Sequence, residues 1–94
     1  MAAFQTVPSE VLFDVYEARG KFSRPSLVYC GDDEPAKGVV AELIRDVGFE
    51  PIDAGPLRIA RYAEPFALLM GELAYGKASG PELAYRFEWF GEQP

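Results

Sequence analysis

The 94-residue sequence predicts a mixed α/β fold centred on one βαβ unit. Three observations between residues 26 and 57 support this prediction. Ser26 to Gly31 is a short apolar run with the length and β-rich composition of a strand. Apolar residues then recur at helical spacing from 34 to 47, and Phe49 to Ala54 again has strand character. Two strands joined by a helical crossover are most simply parallel, with a right-handed connection.

The central helix has signals at both of its ends. Either Asp32 or Asp33 is expected to cap it, and Pro35 suits its first turn because the missing N–H would be unpaired there. Gly48 is expected to end the helix, since glycine is common just past a C-terminus. The apolar residues that define the helical period are Val39, Val40, Leu43, Ile44 and Val47.

The segment before this unit is expected to hold a short strand and a short helix. Ala2 to Val7 is apolar, and Pro8 would end a strand there because proline cannot continue the ladder. Ser9 could cap a helix running to Tyr16. The residues expected on the apolar face of this helix are Val11, Leu12, Val15 and Tyr16.

The segment after the unit predicts a long helix over Leu57 to Tyr75. Pro65 lies inside it, and we expect a kink or a break near Tyr62 because proline removes a backbone hydrogen bond and clashes with the preceding turn. The aromatic stretch 81–90 fits either a last helix or an alternating strand. We favour the helix.

Composition limits the classes of function. The chain forms one domain, 1–94, and the net charge of −6 without a Lys/Arg cluster argues against partners that are nucleic acids or anionic membranes. A single cysteine cannot form an internal disulfide, which favours a reducing compartment, and no apolar run approaches the length of a membrane span. We therefore expect a cytoplasmic protein.

The chain offers few chemically reactive groups. It has no histidine, so Ser-His and Cys-His sites are excluded, no Cys/His metal-ligand spacing exists, and no catalytic residue stands out. Cys30 is most simply a core residue. The segment 53–57, DAGPL, is either a turn or part of the ligand crevice that open α/β sheets form at their strand ends. Arg58 and Arg61 could face a phosphate or carboxylate, or could pair with Glu64.

The predicted fold leaves apolar surface without cover. Parallel sheets are usually covered on both faces, and a small sheet has open edges that recruit partners. The large apolar residues left to place are Phe4, Phe13, Phe66, Trp89 and Phe90. We expect a homodimer or a domain-swapped dimer to bury this surplus; the alternative is that the C-terminal segment folds back over its own sheet.

The order of these segments resembles a known family. The succession AFQTVPSEVL, LVYCGDDEPAKGVVAELIRDVGFEPIDAGPL and RIARYAEPFALL is similar to the C-terminal half of the NADP oxidoreductases that depend on the deazaflavin coenzyme F-420, and to related predicted dinucleotide-binding proteins. The similarity runs from about Ala3 to Met70. It implies a Rossmann-type fold without the glycine-rich half, because no G-x-G-x-x-G occurs in these residues.

The resemblance also implies a site. Gln5, Thr6 and Val7 match the strand end that lies near the nicotinamide in the family, although Gln5 replaces the usual Asn or His. Arg61 and Glu64 match polar positions of the helix after DAGPL. NADP would be the cofactor of a complete family member, and this chain alone would bind none without a separate Rossmann chain.

Two functions follow as expectations. One is an incomplete NADP-dependent oxidoreductase, whose complete relatives transfer hydride between NADP(H) and a deazaflavin or flavin-type coenzyme, and which would be inactive alone. The other is a non-catalytic dimerisation module.

Overall fold

The fold consists of three α-helices and a two-stranded parallel sheet within residues 2–4, 6–7, 9–18, 24–76 and 83–91, which a computed structural model describes. In chain order the elements are α1 (Ser9–Ala18), β1 (Ser26–Tyr29), α2 (Glu34–Val47), β2 (Glu50–Asp53), a 3-10 turn (Leu57–Ile59) and α3 (Ala60–Tyr75). No helix in these ranges is long and apolar enough to cross a lipid bilayer.

The βαβ unit predicted from the sequence is confirmed. β1 and β2 are parallel and in register, with Ser26 opposite Glu50 and Tyr29 opposite Asp53. Asp33 occupies the cap position of α2, but its side chain makes no capping hydrogen bond. The helix instead begins with the bond from Lys37 N to the Asp33 carbonyl oxygen, at 2.9 Å.

Gly48 ends α2, as predicted, in a left-handed conformation with φ of 119°. Its N–H donates to the Arg45 carbonyl oxygen at 3.0 Å, and Phe49 N donates to the Ile44 carbonyl oxygen at 3.1 Å. This pair of bonds is a Schellman motif, which satisfies carbonyl groups that the helix end would otherwise leave unpaired. The Arg24 guanidinium donates to the carbonyl oxygens of Arg45 and Phe49, both at 3.0 Å, and ties the same end to the entry of β1.

One face of the sheet carries the core. α1 and α2 cover it, and α2 contributes residues spaced at helical intervals, of which Ala41 and Ile44 are buried. Val39 and Leu43 are exposed, because the neighbouring elements cover a narrower arc of α2 than its apolar residues occupy. Full burial of a large apolar side chain contributes about 1.5–3 kcal/mol. The core consists of Val7, Val11, Leu27, Tyr29, Ala41, Ile44 and Phe49.

The outer edge of β1 is paired by both ends of the chain. Ala2 forms an antiparallel bridge with Cys30, and Tyr85 forms one with Ser26. The predicted strand over Ala2 to Val7 is otherwise wrong for the described residues 2–4 and 6–7, since Phe4 has a positive φ of 65° that interrupts an extended backbone. Pro8 lies outside the described residues.

The outer edge of β2 carries a proline. Glu50 N donates to the Pro25 carbonyl oxygen and Ala54 N to the Tyr29 carbonyl oxygen, both at 2.8 Å. Because backbone groups alternate along a strand, the Pro51 nitrogen lies between these positions on the edge that faces away from β1. Proline is tolerated at such an edge because no ladder bond is lost there.

Two expectations for the C-terminal half differ from the structure. α3 is continuous from Ala60 to Tyr75 with Pro65 inside it, so the break, one of the two alternatives expected near Tyr62, does not occur. The expected last helix is wrong for the described residues 83–91, which contain no helix and bridge to β1 at Tyr85. This segment and α3 cover the second face of the sheet only in part, since Val28 and Ile52 are half-buried there.

Candidate functional site

A polar cleft of about 490 Å³ lies at the carboxyl ends of the two strands. Open α/β sheets bind their ligands at this position, which makes the cleft the first candidate site. Asp32 and Glu34 enter it from the start of α2, and Asp53 enters it from the end of β2. The lining residues are Gly31, Asp32, Glu34, Lys37, Asp53, Ala54, Gly55 and Pro56.

Lys37 is the one cation in this lining, and it is held within the protein. Only 5% of the residue is exposed, and its Nζ lies 2.9 Å from Asp53 Oδ1 and 3.4 Å from the Gly55 carbonyl oxygen. The hydrogen bond to Asp53 raises the pKa of Lys37 against the opposing effect of burial, and the negative charges of Asp53 and Glu34 add to the rise. Lys37 therefore stays protonated and is no nucleophile at neutral pH.

Two carboxylates of the cleft organise its loops. Asp53 Oδ1 accepts a hydrogen bond from Gly55 N at 2.8 Å, and Asp32 Oδ1 accepts one from Leu57 N at 2.9 Å. Burial alone would raise the pKa of Asp53, but the hydrogen bonds from Lys37 and Gly55 outweigh it and lower the pKa below its ordinary value. The turn predicted for DAGPL is thus built by acidic side chains that bond backbone amides.

The charge of this cleft is unfavourable for a phosphate ligand. Asp32, Glu34 and Asp53 face a single cation, Lys37, and that cation is already paired with Asp53. A pyrophosphate would meet net negative charge there, whereas a phosphate site needs hydrogen-bond donors and cations. The residues present do not fit the phosphates of NADP.

A second, apolar cleft of about 230 Å³ lies on the other face of the sheet, beneath α3. Phe66 of α3 packs edge-on against the Tyr85 ring, with ring centroids 4.9 Å apart and ring planes at 88°. The ring centroids of Phe87 and Tyr85 are 5.3 Å apart. Edge-to-face packing of this kind contributes beyond the area it buries. The cleft is lined by Thr6, Val28, Cys30, Ala54, Ile59, Tyr62, Ala63, Phe66 and Phe87.

Tyr85 is the central residue of this face, and sequence analysis did not single it out. Its hydroxyl accepts a hydrogen bond from Val28 N at 2.9 Å and shares one with Thr6 Oγ1 at 2.6 Å. Burial raises the pKa of Tyr85, while these two hydrogen bonds act in the opposite direction. The alternation of Tyr85 and Phe87 with polar residues was the strand signal in this segment, and the sequence analysis set it aside in favour of a helix.

The apolar surface continues past Phe87. A neighbouring cleft of about 300 Å³ is lined by Val28, Ile52, Phe87, Glu88 and Trp89. Beyond it Trp89 is exposed, and Phe90 is 94% exposed. The C-terminal segment therefore closes part of the second face and leaves its own last aromatic rings in solvent.

The five residues singled out from the family resemblance do not form one cluster. Thr6 is buried, lines the apolar cleft and bonds Tyr85. Val7 lies in the core on the other face of the sheet, and Gln5 is outside the described residues. Arg61 and Glu64 are both exposed on α3, and neither lines the apolar cleft.

Cys30 and the carboxylates are the remaining groups that could take part in catalysis or metal binding. Cys30 is 1% exposed in the apolar cleft, in agreement with a structural role. Among the described residues no three acidic, cysteine or histidine side chains lie close enough together to hold a metal ion.

Comparisons with known proteins provide no relative for this fold and site. No family model matches the chain, and neither a curated protein nor a solved structure matches it significantly.

Proposed function

We propose that this chain is a non-catalytic self-association module that forms a homodimer through the apolar surface of α3 and the C-terminal segment. The observation that carries the proposal is the exposure of large apolar side chains on one helix, with Leu68 at 74% and Leu69 at 54%. Large exposed apolar patches are typical of protein interfaces. The other exposed apolar residues of this surface are Tyr62, Leu73, Tyr75, Phe87, Trp89 and Phe90.

Charge disfavours polyanionic partners, and edge structure disfavours strand addition. The net charge of −6 disfavours phosphate backbones and anionic lipid. Strand addition is also disfavoured, because both chain ends occupy the edge of β1 and Pro51 lies on the edge of β2. Ala2 pairs with Cys30 of its own chain, so the proposed dimer requires no exchange of strands. From the cysteine content we also propose a cytoplasmic location.

The test compares two helical leucines that match in exposure but lie on different helices. Leu69 on α3 is 54% exposed and Leu43 on α2 is 51% exposed. We expect L69S to raise the dimer Kd roughly tenfold, because the symmetric contact loses two partly buried leucines, and L43S to change it less than about threefold. Sedimentation equilibrium over a concentration series gives both values.

Two results would count against self-association through α3. One is a wild-type chain that stays monomeric up to about 1 mM, the concentration that corresponds to a very weak complex. The other is an equal effect of L69S and L43S, which would show that the helix is not part of the contact.

A second candidate is the acceptor half of an NADP-dependent oxidoreductase. The polar cleft at the strand ends favours it, because ligands of open α/β sheets bind there. The acidic lining does not fit NADP phosphates, so the candidate requires a separate Rossmann chain to hold the dinucleotide, and Thr6 would line the wall of the apolar cleft against a coenzyme ring.

Calorimetry distinguishes the two candidates. Titration of NADPH into the isolated chain is expected to give no saturable heat, and titration of a free flavin is expected to give a saturable signal only if the second candidate holds. Tight NADPH binding by the chain alone would contradict the charge argument for the polar cleft.

A further inference from the structure

The exposed face of α3 carries a cation near one end and an anion near the other. Arg61 lies in its first turn and Glu72 in its last, and both are exposed. Neither side chain belongs to an ion pair in the part of the chain that the structure describes. The separation of eleven residue steps corresponds to about 16 Å along the helix axis and about 20° around it, so both project from one stripe.

Apolar residues fill the stripe between these charges. Leu68 and Leu69 are the most exposed leucines of the helix, and Pro65 is exposed beside them. The buried residues of α3, Met70 and Ala74, lie on the opposite side. The stripe is therefore an apolar strip with opposite charges at its two ends.

We propose that α3 packs antiparallel against α3 of a second copy, about a two-fold axis between residues 66 and 67, with Arg61 of each copy paired to Glu72 of the other. This inference rests on the proposed self-association and specifies its geometry. The same axis brings Pro65 opposite Leu68 of the second copy. An interaxial angle of about 20° keeps both ends in contact, as in helix pairs that pack along their length.

The charge pattern selects this direction over the reverse. A parallel two-fold arrangement would place Arg61 against Arg61 and Glu72 against Glu72, and like charges in an interface weaken association. Two copies of net charge −6 repel each other, which makes a complementary pair at each end more important at low salt. The antiparallel dimer contains two Arg61–Glu72 pairs, because the axis repeats the contact.

Charge exchange provides the test, with self-association of the full chain measured by sedimentation equilibrium at low salt. R61E and E72R each turn two attractive pairs into repulsive ones and are expected to raise Kd roughly tenfold. The double variant R61E/E72R keeps the net charge and reverses each pair, so its Kd is expected to return to within about threefold of wild type. An equimolar mixture of the two single variants is expected to form the heterodimer in preference to either homodimer.

E42R on α2 is the matched control for E72R. Glu42 is exposed, and E42R changes the net charge by the same amount as E72R but on a different helix. If R61E and E72R shift Kd no more than E42R does, or if the double variant fails to recover, the antiparallel contact is overturned while self-association stands. A wild-type chain that remains monomeric overturns both proposals.

Discussion

Removal of one hydroxyl group, in Tyr85→Phe, should destabilise the whole second face of the sheet. The hydroxyl accepts from Val28 N at 2.9 Å and shares a hydrogen bond with Thr6 Oγ1 at 2.6 Å. The substitution keeps the ring against Phe66, so it isolates the hydrogen bonds from the aromatic contact. The substitution removes two hydrogen bonds and leaves the Val28 amide, in a half-buried part of β1, without a partner. Together these losses should lower the free energy of unfolding by about 2 kcal/mol.

This loss is large for a domain of this size. About 2 kcal/mol corresponds to a fall in Tm of roughly 8–16 °C for a chain of under a hundred residues. Urea denaturation followed by circular dichroism measures the free energy, and the matched control is Tyr62→Phe, whose ring is exposed and whose change should stay within about 0.5 kcal/mol. A Tyr85→Phe variant as stable as its control would refute the role we assign to the hydroxyl.

The same tyrosine gives stability a defined pH dependence. Its pKa in the folded protein is raised above 10.0 by burial, so the folded state holds the proton more tightly than the unfolded state does. Its contribution is therefore complete below pH 10.0 and is lost as the pH rises through the folded pKa. Burial also raises the pKa of Tyr29, so Tyr85→Phe should reduce the alkaline loss of stability without abolishing it.

The remaining predictions concern the ends and the interior of the helices. Gly48→Ala should cost about 1–2 kcal/mol in urea denaturation because φ at this position is 119°, and an unchanged midpoint would contradict the Schellman ending of α2. The pKa of Asp53 is lowered below 3.8 in the folded protein, so wild-type stability should fall as the pH drops through that folded pKa. Asp53→Asn should therefore flatten the acid side of a plot of Tm against pH. An acid side identical to that of wild type would show that Asp53 does not contribute. Pro65→Ala should raise the free energy of unfolding by roughly 1–2 kcal/mol, because it restores an N–H donor for the Arg61 carbonyl group, and calorimetry showing a lower Tm would contradict this.

The sequence was sufficient for the βαβ unit because its signals are local. The glycine after α2 and the apolar runs on either side act within a few residues, and β1, α2 and β2 fall within the predicted ranges. The burial of Val39 and Leu43 could not be judged in this way. Their exposure depends on how much of α2 the rest of the chain covers, which is a tertiary property.

The errors near the chain ends have the same origin. The aromatic stretch around Tyr85 has acceptable helical and strand patterns. It forms no helix in residues 83–91 because the Tyr85 backbone bridges to the edge of β1 and its hydroxyl bonds Thr6, 79 residues earlier in the sequence. α3 stays continuous at Pro65 because one missing hydrogen bond is a local loss within a helix of 16 residues. The role of Arg61 and Glu64 likewise could not be read from a spacing that fits a surface pair and a ligand site equally.

Pro51 has a consequence for how far assembly can proceed. A two-stranded sheet with a free edge is a template onto which further chains could stack into an open-ended fibril. The nitrogen of Pro51 sits on that edge and offers no hydrogen to an incoming strand. Pro51 therefore opposes growth in that direction at the second residue of β2. The self-association that we propose would then be confined to helix surfaces, where a two-fold axis closes the assembly after one partner.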